Sequence, residues 1–283
     1  MRKKKTMKVS RNILIICATI CCFVSCKKEL DMTLVQKTVY ENTDIRQIEI
    51  GDAWQVTLIT DSNTFVELAY SAYLEPSLKA KMDGTKLEIG FTRNVYPAIN
   101  SVYRATVHVK QLEKVDAEDA AKVQCNGSFS GQRIEINLAE AAQCTGLAFS
   151  GENCEINLKD ASLLAGFQFI GSTAKADLAD ASQFNGQIQV GDRLEVELKD
   201  ASRFVNSGGT TEQAIIKLQN SSLLNIAETE IRKMNVDLSS GSEATVRVVE
   251  LMEGTLNEAS TLYYKGHPQI NIDCSEDSQL IPF

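Results

Sequence analysis

The chain has 283 residues, with 29 lysines and arginines against 37 aspartates and glutamates. Six of the basic residues lie in the first 25 positions, so residues 26–283 carry 23 basic and 37 acidic side chains, a net charge of −14 with His neutral. A surface of this sign repels phosphate, and we therefore exclude nucleic acid as a partner.

Residues 1–25 have the organisation of a lipoprotein signal peptide. Basic residues precede the apolar stretch Ile13–Val24, whose twelve residues are too few to span a bilayer as a mature helix. The stretch ends in Phe23-Val24-Ser25-Cys26, which resembles a bacterial lipobox with Cys26 as the lipid acceptor. The alternative is an ordinary secretory signal followed by a chance cysteine.

We predict that residues 26–39 form an anchor and tether, and that acyl chains on Cys26 hold the protein on the outer membrane. Each buried methylene of such a chain contributes about 0.8 kcal/mol. The charged stretch Lys27–Asp31 resembles the short signals that direct Bacteroidetes lipoproteins to the cell surface. The sequence leaves surface and periplasmic exposure both open.

Residues 40–111 read as β structure without a repeat. Alternating or nearly alternating apolar residues occur in Trp54–Leu58, Thr64–Leu68, Lys86–Ile89 and Val107–Val109. An open end of a stack of strands would expose unpaired strand edges. We therefore predict that 40–111 is an irregular β cap on the region that follows.

Residues 112–283 repeat with a period of about 20 residues, which predicts stacked structural units. The repeat is marked by short turns: Glu140-Ala141-Ala142, Asp160-Ala161-Ser162, Asp180-Ala181-Ser182, Asp200-Ala201-Ser202, Asn220-Ser221-Ser222 and Ser240-Gly241-Ser242, with looser copies from Asp119, Glu258 and Glu276. A leucine comes two positions before most of these turns: Leu138, Leu158, Leu178, Leu198, Leu218, Leu238 and Leu256. Leucine, phenylalanine or another small apolar residue comes four positions after them.

The segment before each turn alternates as a strand does. In Leu194–Lys199 the apolar side chains are two positions apart, so they share one face while the charged side chains share the other. The repeat region has no convincing helical period. We therefore predict an all-β fold, a parallel β-solenoid whose coils stack about 4.8 Å apart and whose leucines form one inner column.

The chain resembles a known family at this point. The exported N-terminus, the strand motifs Val56-Thr57-Leu58 and Val66-Glu67-Leu68, and the stacked turns are similar to those of the Bacteroidetes "putative auto-transporter adhesin" proteins with a head GIN domain. The resemblance covers about residues 40–283. It implies a secreted or lipid-anchored β-solenoid that acts in adhesion, and it identifies no binding residues. Ser240-Gly241-Ser242 matches the Gly-Ser-Gly-like turns of the family, whereas the other turns use Asp-Ala-Ser variants.

The acidic ladder Asp160, Asp180 and Asp200 is the sharpest candidate site. Stacked carboxylates repel one another unless a cation, a proton or a hydrogen-bond donor lies between them, and calcium favours such oxygen ligands. The alternative, which we favour, is that each Asp accepts hydrogen bonds from the backbone N–H groups of its own turn. We therefore predict no metal and no cofactor.

Four cysteines follow Cys26: Cys125, Cys144, Cys154 and Cys274. None forms a C-x-x-C motif, so the sequence indicates neither a zinc ribbon nor a redox site. Cys144 shares its register with leucines and phenylalanines, and we expect it to be a small buried hydrophobic residue. Whether any of the four forms a disulfide is left open.

The remaining candidates for chemistry are isolated. His108 and His267 have no visible metal partner, and we expect both to be surface histidines. Tyr96, Tyr103, Tyr263 and Tyr264 are candidates for stacking on sugars, and the alternative, which we favour, is that they are scattered surface tyrosines. No motif brings an acid, a base and an oxyanion-binding group together.

We therefore predict a non-catalytic surface binding or adhesion protein with glycans or surface proteins as partners, anchored in the membrane by its lipid. A polysaccharide-active enzyme on a parallel β-helix and a purely structural envelope component are the alternatives.

Overall fold

The computed structural model describes residues 29–93 and 95–283, and the compact unit spans Asp31–Phe283. The signal peptide and Cys26 lie outside the described residues. The strands, in chain order, are β1 Leu34–Val39, β2 Gln47–Ile50, β3 Gln55–Thr60, β4 Phe65–Ser71, β5 Leu78–Asp83, β6 Lys86–Phe91, β7 Tyr103–Val109, β8 Lys114–Ala117, β9 Lys122–Asn126, β10 Ser128–Ser130, β11 Arg133–Leu138, β12 Gln143–Thr145, β13 Ala148–Ser150, β14 Asn153–Leu158, β15 Leu163–Leu178, β16 Gln183–Leu198, β17 Arg203–Asn206, β18 Gly209–Leu218, β19 Leu223–Leu238, β20 Glu243–Leu256, β21 Thr261–Lys265, β22 Gln269–Cys274 and β23 Gln279–Pro282. One short 3₁₀ helix, Ala72–Ser77, follows β4.

The strands wind into a parallel β-solenoid of about eight turns, which confirms the predicted fold class. In each coil one strand segment leads into the marker turn and another leaves it. The stacked segments that lead into the turns form the turn-entry face, and the stacked segments that leave the turns form the turn-exit face. On the turn-entry face the parallel order runs β6, β2, β8, β11, β14, then the ends of β15 and β16, β18, the ends of β19 and β20, and β22. Among the described residues, none forms a helix long and apolar enough to cross a membrane.

The predicted inner columns are present. Leu158, Leu178 and Leu198 are register partners in successive coils, and all three are buried. On the turn-exit face Phe184 and Phe204 occupy one column and stack with ring centroids 4.3 Å apart. The rigid register follows from the side-chain period of two, because a slip of one residue would move every buried side chain to the solvent.

The marker turns share one geometry. Asp160 and Ala161 both have positive φ, 54° and 59°, and Ser162 N donates to Lys159 O at 3.2 Å, which defines a type I′ turn. Ala161 N then donates to Asp180 O at 2.8 Å, so each turn is bonded to the turn of the next coil.

The side chain of the third residue in each marker points into the core. Ser162, Ser182 and Ser202 are fully buried. Their hydroxyls are satisfied by backbone carbonyls, as in Ser162 Oγ to Leu138 O at 3.1 Å. This explains why a small hydroxyl residue recurs at that position.

The N-terminal region contains a coil as well as capping strands. β2 and β3 pair in parallel with β8 and β9, and the turn between them has Asp52 and Ala53 at positive φ, 54° and 57°. Ala53 N donates to Asp119 O at 2.8 Å, as in the later turns. The sequence hides this marker because Trp54 stands where the later coils have Ser or Ala. Beyond it β6 and β7 still pair in parallel with β2 and β3, and the pairing then becomes antiparallel, between β1 and β4, β4 and β7, and β5 and β6.

Candidate functional site

An outward column of polar side chains lies on the turn-entry face, three positions before each marker. Its members from β2 to β16 are Glu49, Asp116, Asn137, Asn157, Asp177 and Glu197. Asn157 Nδ2 donates to Asn137 Oδ1 at 2.8 Å, and Asn137 Nδ2 donates to Asp116 Oδ1 at 2.5 Å. The two amides therefore form a hydrogen-bonded ladder along the solenoid.

The ladder stops at Asp177. Asp177 is the register partner of Asn157, but a carboxylate has no N–H to donate to the amide beside it. Asp177 Oδ2 accepts from Lys175 Nζ at 2.7 Å, whereas Asp177 Oδ1 is buried and has no hydrogen-bond partner within the described part of the chain. A buried acceptor of this kind costs about 1–3 kcal/mol, so it requires a reason.

The column forms one wall of a groove with a volume of ≈ 720 Å³. The other wall is the column one position before each marker, which alternates small and long side chains: Ala139, Lys159, Ala179 and Lys199. Ala179 leaves an indentation between the two lysines, and Ala139 leaves another on the far side of Lys159. From β2 to β16 the groove crosses six neighbouring strands, or about 24 Å at the usual strand spacing.

Charges in the groove are mostly paired. Lys199 Nζ lies 2.5 Å from Glu197 Oε1. This contact lowers the pKa of Glu197 and raises the pKa of Lys199. Lys114 Nζ contacts Asp116 at 3.1 Å, so the acidic end of the amide ladder is also neutralised. The groove thus offers amides, ion pairs and one unmet acceptor, rather than a concentrated charge of one sign.

The acidic ladder lies elsewhere, on the exposed edge formed by the turns. Asp160, Asp180 and Asp200 are exposed, and Asn220 Nδ2 donates to Asp200 Oδ1 at 2.7 Å. The capping hydrogen bonds that we expected are not formed, because in the described turns no backbone N–H donates to these three carboxylates. The acids instead hold positive φ, which Asp tolerates better than most residues.

The calcium hypothesis gains no geometric support in this part of the chain. No group of three or more His, Cys, Asp or Glu side chains among the described residues is arranged to hold a metal ion. Above the ladder, Glu140 shares a hydrogen bond with Asp119, which raises the pKa of Glu140.

The four cysteines in the described part of the chain are free thiols. Cys125, Cys144 and Cys154 are buried and Cys274 is exposed. Cys144 lies in the inner column between Val123 and Leu164, as expected of a small apolar residue. Burial raises the pKa of Cys154, and a hydrogen bond with Cys144 together with burial raises the pKa of Cys125.

The histidine and tyrosine candidates lie at different places in the described part of the chain. His108 packs on Phe65 with ring centroids 3.9 Å apart and contacts Asp61 Oδ2 through Nδ1 at 3.0 Å, and it is half-buried. Tyr103 packs against Trp54 at the capped end, whereas Tyr263 and Tyr264 belong to β21 near the other end.

The groove could not be predicted from a sequence motif, because its residues are not close together in the sequence. Its walls consist of residues about 20 apart in the sequence, and its shape depends on the alanines at 139 and 179 within a column that also holds Glu118, Lys159 and Lys199. Aligning the coils on their markers would have shown both columns.

Comparisons with solved structures agree on the fold. A "putative adhesin" from Parabacteroides merdae ATCC 43184 superposes with a TM-score of 0.65 at 12% identity, covering 89% of this chain and 96% of that one. A "putative adhesin" from Parabacteroides distasonis ATCC 8503 gives 0.64 at 13% identity, covering 89% and 98%. A "putative lipid binding protein" from the same organism gives 0.59 at 16% identity, covering 90% and 98%. At these identities the likeness shows the fold alone.

A search of curated proteins found no match. The family model described as "putative auto-transporter adhesin, head GIN domain" matches residues 44–268, which include the coil at β2 and β3 that the repeat had not revealed. The chain belongs to this adhesin family, as its sequence had suggested.

Proposed function

We propose that the protein is a non-catalytic binding module, anchored at the outer membrane through a lipid on Cys26, that holds an extended glycan in the groove of its turn-entry face. The observation that carries the proposal is the buried, unmet acceptor Asp177 Oδ1 in a groove about 24 Å long. Asp177 lines the groove and its side chain is 36% exposed, so a rotation of that side chain would bring the oxygen within reach of a ligand hydroxyl.

The polar groups of the groove suit a sugar chain. Hydroxyl groups both donate and accept, so they can meet Asp177 Oδ1 and the amines of Lys159 and Lys199 alike. The methyl groups of Ala139 and Ala179 can contact the carbon–hydrogen faces of sugar rings. A similar structure bears the name "putative lipid binding protein", and Leu138, Leu158 and Leu178 also line this groove, so an acyl chain is the competing ligand.

The proposal is tested by a glycan array with the full-length protein, followed by product analysis of every glycan that binds. We expect binding without cleavage. New reducing ends or unsaturated products would support the alternative of a polysaccharide-active enzyme, and turnover that is lost in a folded Asp180→Asn, Asp200→Asn double variant would assign catalysis to the acidic ladder. The absence of both binding and cleavage would favour a structural envelope component.

The anchor is tested separately. Cys26→Ala should abolish incorporation of a labelled fatty acid, because the acylated thiol is then missing. Label retained on the variant would contradict the lipobox interpretation. Protease treatment of intact cells then distinguishes surface display from periplasmic exposure.

A further inference from the structure

The loop between β6 and β7 presents two large apolar side chains to the solvent. Tyr96 is 92% exposed and Ile99 is 88% exposed, whereas the other exposed large apolar residues in the described part of the chain do not exceed 60%. Large apolar side chains that protrude together from a soluble surface are typical of an interaction site.

The loop is held in place rather than left free. Ser101 Oγ donates to Ala98 O at 2.6 Å, and Ala98 N donates to the Tyr73 hydroxyl at 2.8 Å. The same hydroxyl contacts Ser101 Oγ at 2.5 Å. The two apolar side chains therefore stand on a loop whose base is fixed by side-chain hydrogen bonds.

The loop lies at the end of the solenoid where the chain enters the fold. Tyr73, which holds the loop, also donates its backbone N–H to Asp31 O at 3.0 Å. Ala72 N donates to Thr33 O at 2.9 Å beside it. The first residues of the compact unit and the apolar loop are thus joined through one short segment, and Met32 and Leu34 are exposed there as well.

The tether to the predicted lipid is short. Asp31 follows Cys26 by five residues, and five residues span at most about 18 Å. A lipid on Cys26 would therefore keep this end of the solenoid close to the headgroups, which is within reach of a protruding side chain.

We propose that the capped end of the solenoid docks on the lipid bilayer, with Tyr96 and Ile99 inserted at the interface between headgroups and acyl chains. The proposal rests on the lipid anchor of the proposed function. Tyrosine favours this interface because its ring is apolar and its hydroxyl remains hydrated. Transfer of the isoleucine side chain from water to the bilayer is favourable in free energy. Docking at this end directs the later coils away from the membrane.

The test compares tryptophans introduced at two exposed isoleucines of the full-length acylated protein, reconstituted in phosphatidylcholine vesicles with or without brominated acyl chains. Ile99→Trp reports on the loop. Ile170→Trp is the matched control, because Ile170 is 60% exposed on β15, far along the solenoid. The native Trp54 is 1% exposed and gives a constant background.

We expect the emission added by Ile99→Trp to shift to the blue and to lose most of its intensity with brominated lipid, whereas the Ile170→Trp emission stays unchanged. Equal quenching of both would overturn the end-on docking, because it would show that the solenoid lies flat on the bilayer. Quenching of neither, in a protein that carries labelled fatty acid, would overturn the docking while leaving the anchor intact. A blue shift that occurs without lipid and grows with protein concentration would instead assign the loop to self-association. Absence of the labelled fatty acid from the protein would overturn the anchor and the docking argument together.

Discussion

Replacing Asp177 by asparagine should raise stability and lower ligand binding at the same time. In the Asp177→Asn variant the new amide can donate to its register partner Asn157, which extends the amide ladder by one coil. A buried unmet acceptor costs about 1–3 kcal/mol. The lost contact with Lys175 is between side chains that are 50% and 36% exposed and is worth about 0.2–1 kcal/mol. The net gain expected is about 1 kcal/mol, or about 2–4 °C in Tm for a chain of this size.

The assay is urea and thermal unfolding, followed by fluorescence of the buried Trp54 together with far-UV circular dichroism. Both signals are needed because a stack of repeats can lose its cooperativity, and only coincident transitions permit a two-state free energy. Asp180→Asn is the matched control: it removes the same charge three positions away, on the exposed turn edge, and leaves the groove intact.

The binding readout uses the strongest ligand from the glycan array. We expect Asp177→Asn to weaken it markedly while Asp180→Asn does not, because Asp177 lines the groove and Asp180 does not. A variant that is no more stable than the control would refute the claim that Asp177 Oδ1 is unmet. A variant that is more stable but binds as well as the native protein would refute the role of the groove.

Three further predictions concern the solenoid itself. Leu178→Asp should destabilise the protein by about 3–5 kcal/mol, because it buries an unpaired charge in the leucine column, whereas Gln168→Asp at an exposed position should have little effect in the same unfolding assay. Ala181→Gly should stabilise the protein by about 0.5 kcal/mol, because relief of strain at φ 60° exceeds the greater entropy of the unfolded glycine, while Ala179→Gly beside the same turn should destabilise it. Hydrogen bonds from Lys86 and Lys79 lower the pKa of Glu88 from 4.5 to about 2, so its contribution is present above pH 4.5 and lost as the pH falls towards 2. Glu88→Gln should flatten that part of the stability profile, and an unchanged slope would contradict the assignment.

The inner columns could be predicted because they depend on two periods only. A coil of 20 residues and a side-chain alternation of two place Leu178 beneath Leu158 whatever the outer side chains are. The same reasoning placed Phe184 and Cys144 in their columns. Stacking requires coils of nearly equal length, so the period of the coils is directly visible in the sequence.

The coil at Asp52 could not be found in the same way. Trp54 fills the space that a buried serine occupies later, and it packs against Phe91 and Tyr103 with ring centroids 5.8 and 6.0 Å away. Phe91 and Tyr103 belong to the capping region. The tryptophan at this position is therefore explained by packing at the end of the solenoid and not by the repeat. The role of Asp160 was also misjudged, since a preference for turns does not reveal whether the side chain or the backbone angle is responsible.

Departures from the repeat are the informative positions for function in a solenoid. A column that only has to keep the protein soluble can hold any polar residue. Because neighbouring side chains in a column are in contact, a polar side chain that finds no hydrogen-bond partner there lowers the stability of the fold. Asn206 shows a departure that is fully matched: its amide accepts from Ile188 N at 2.6 Å and donates to Ile188 O and Thr229 Oγ1 at 3.0 and 2.8 Å, which closes the break between β17 and β18. Asp177 breaks its ladder without such compensation. The difference between these two residues is the physical ground for placing the ligand in the groove and not at the break.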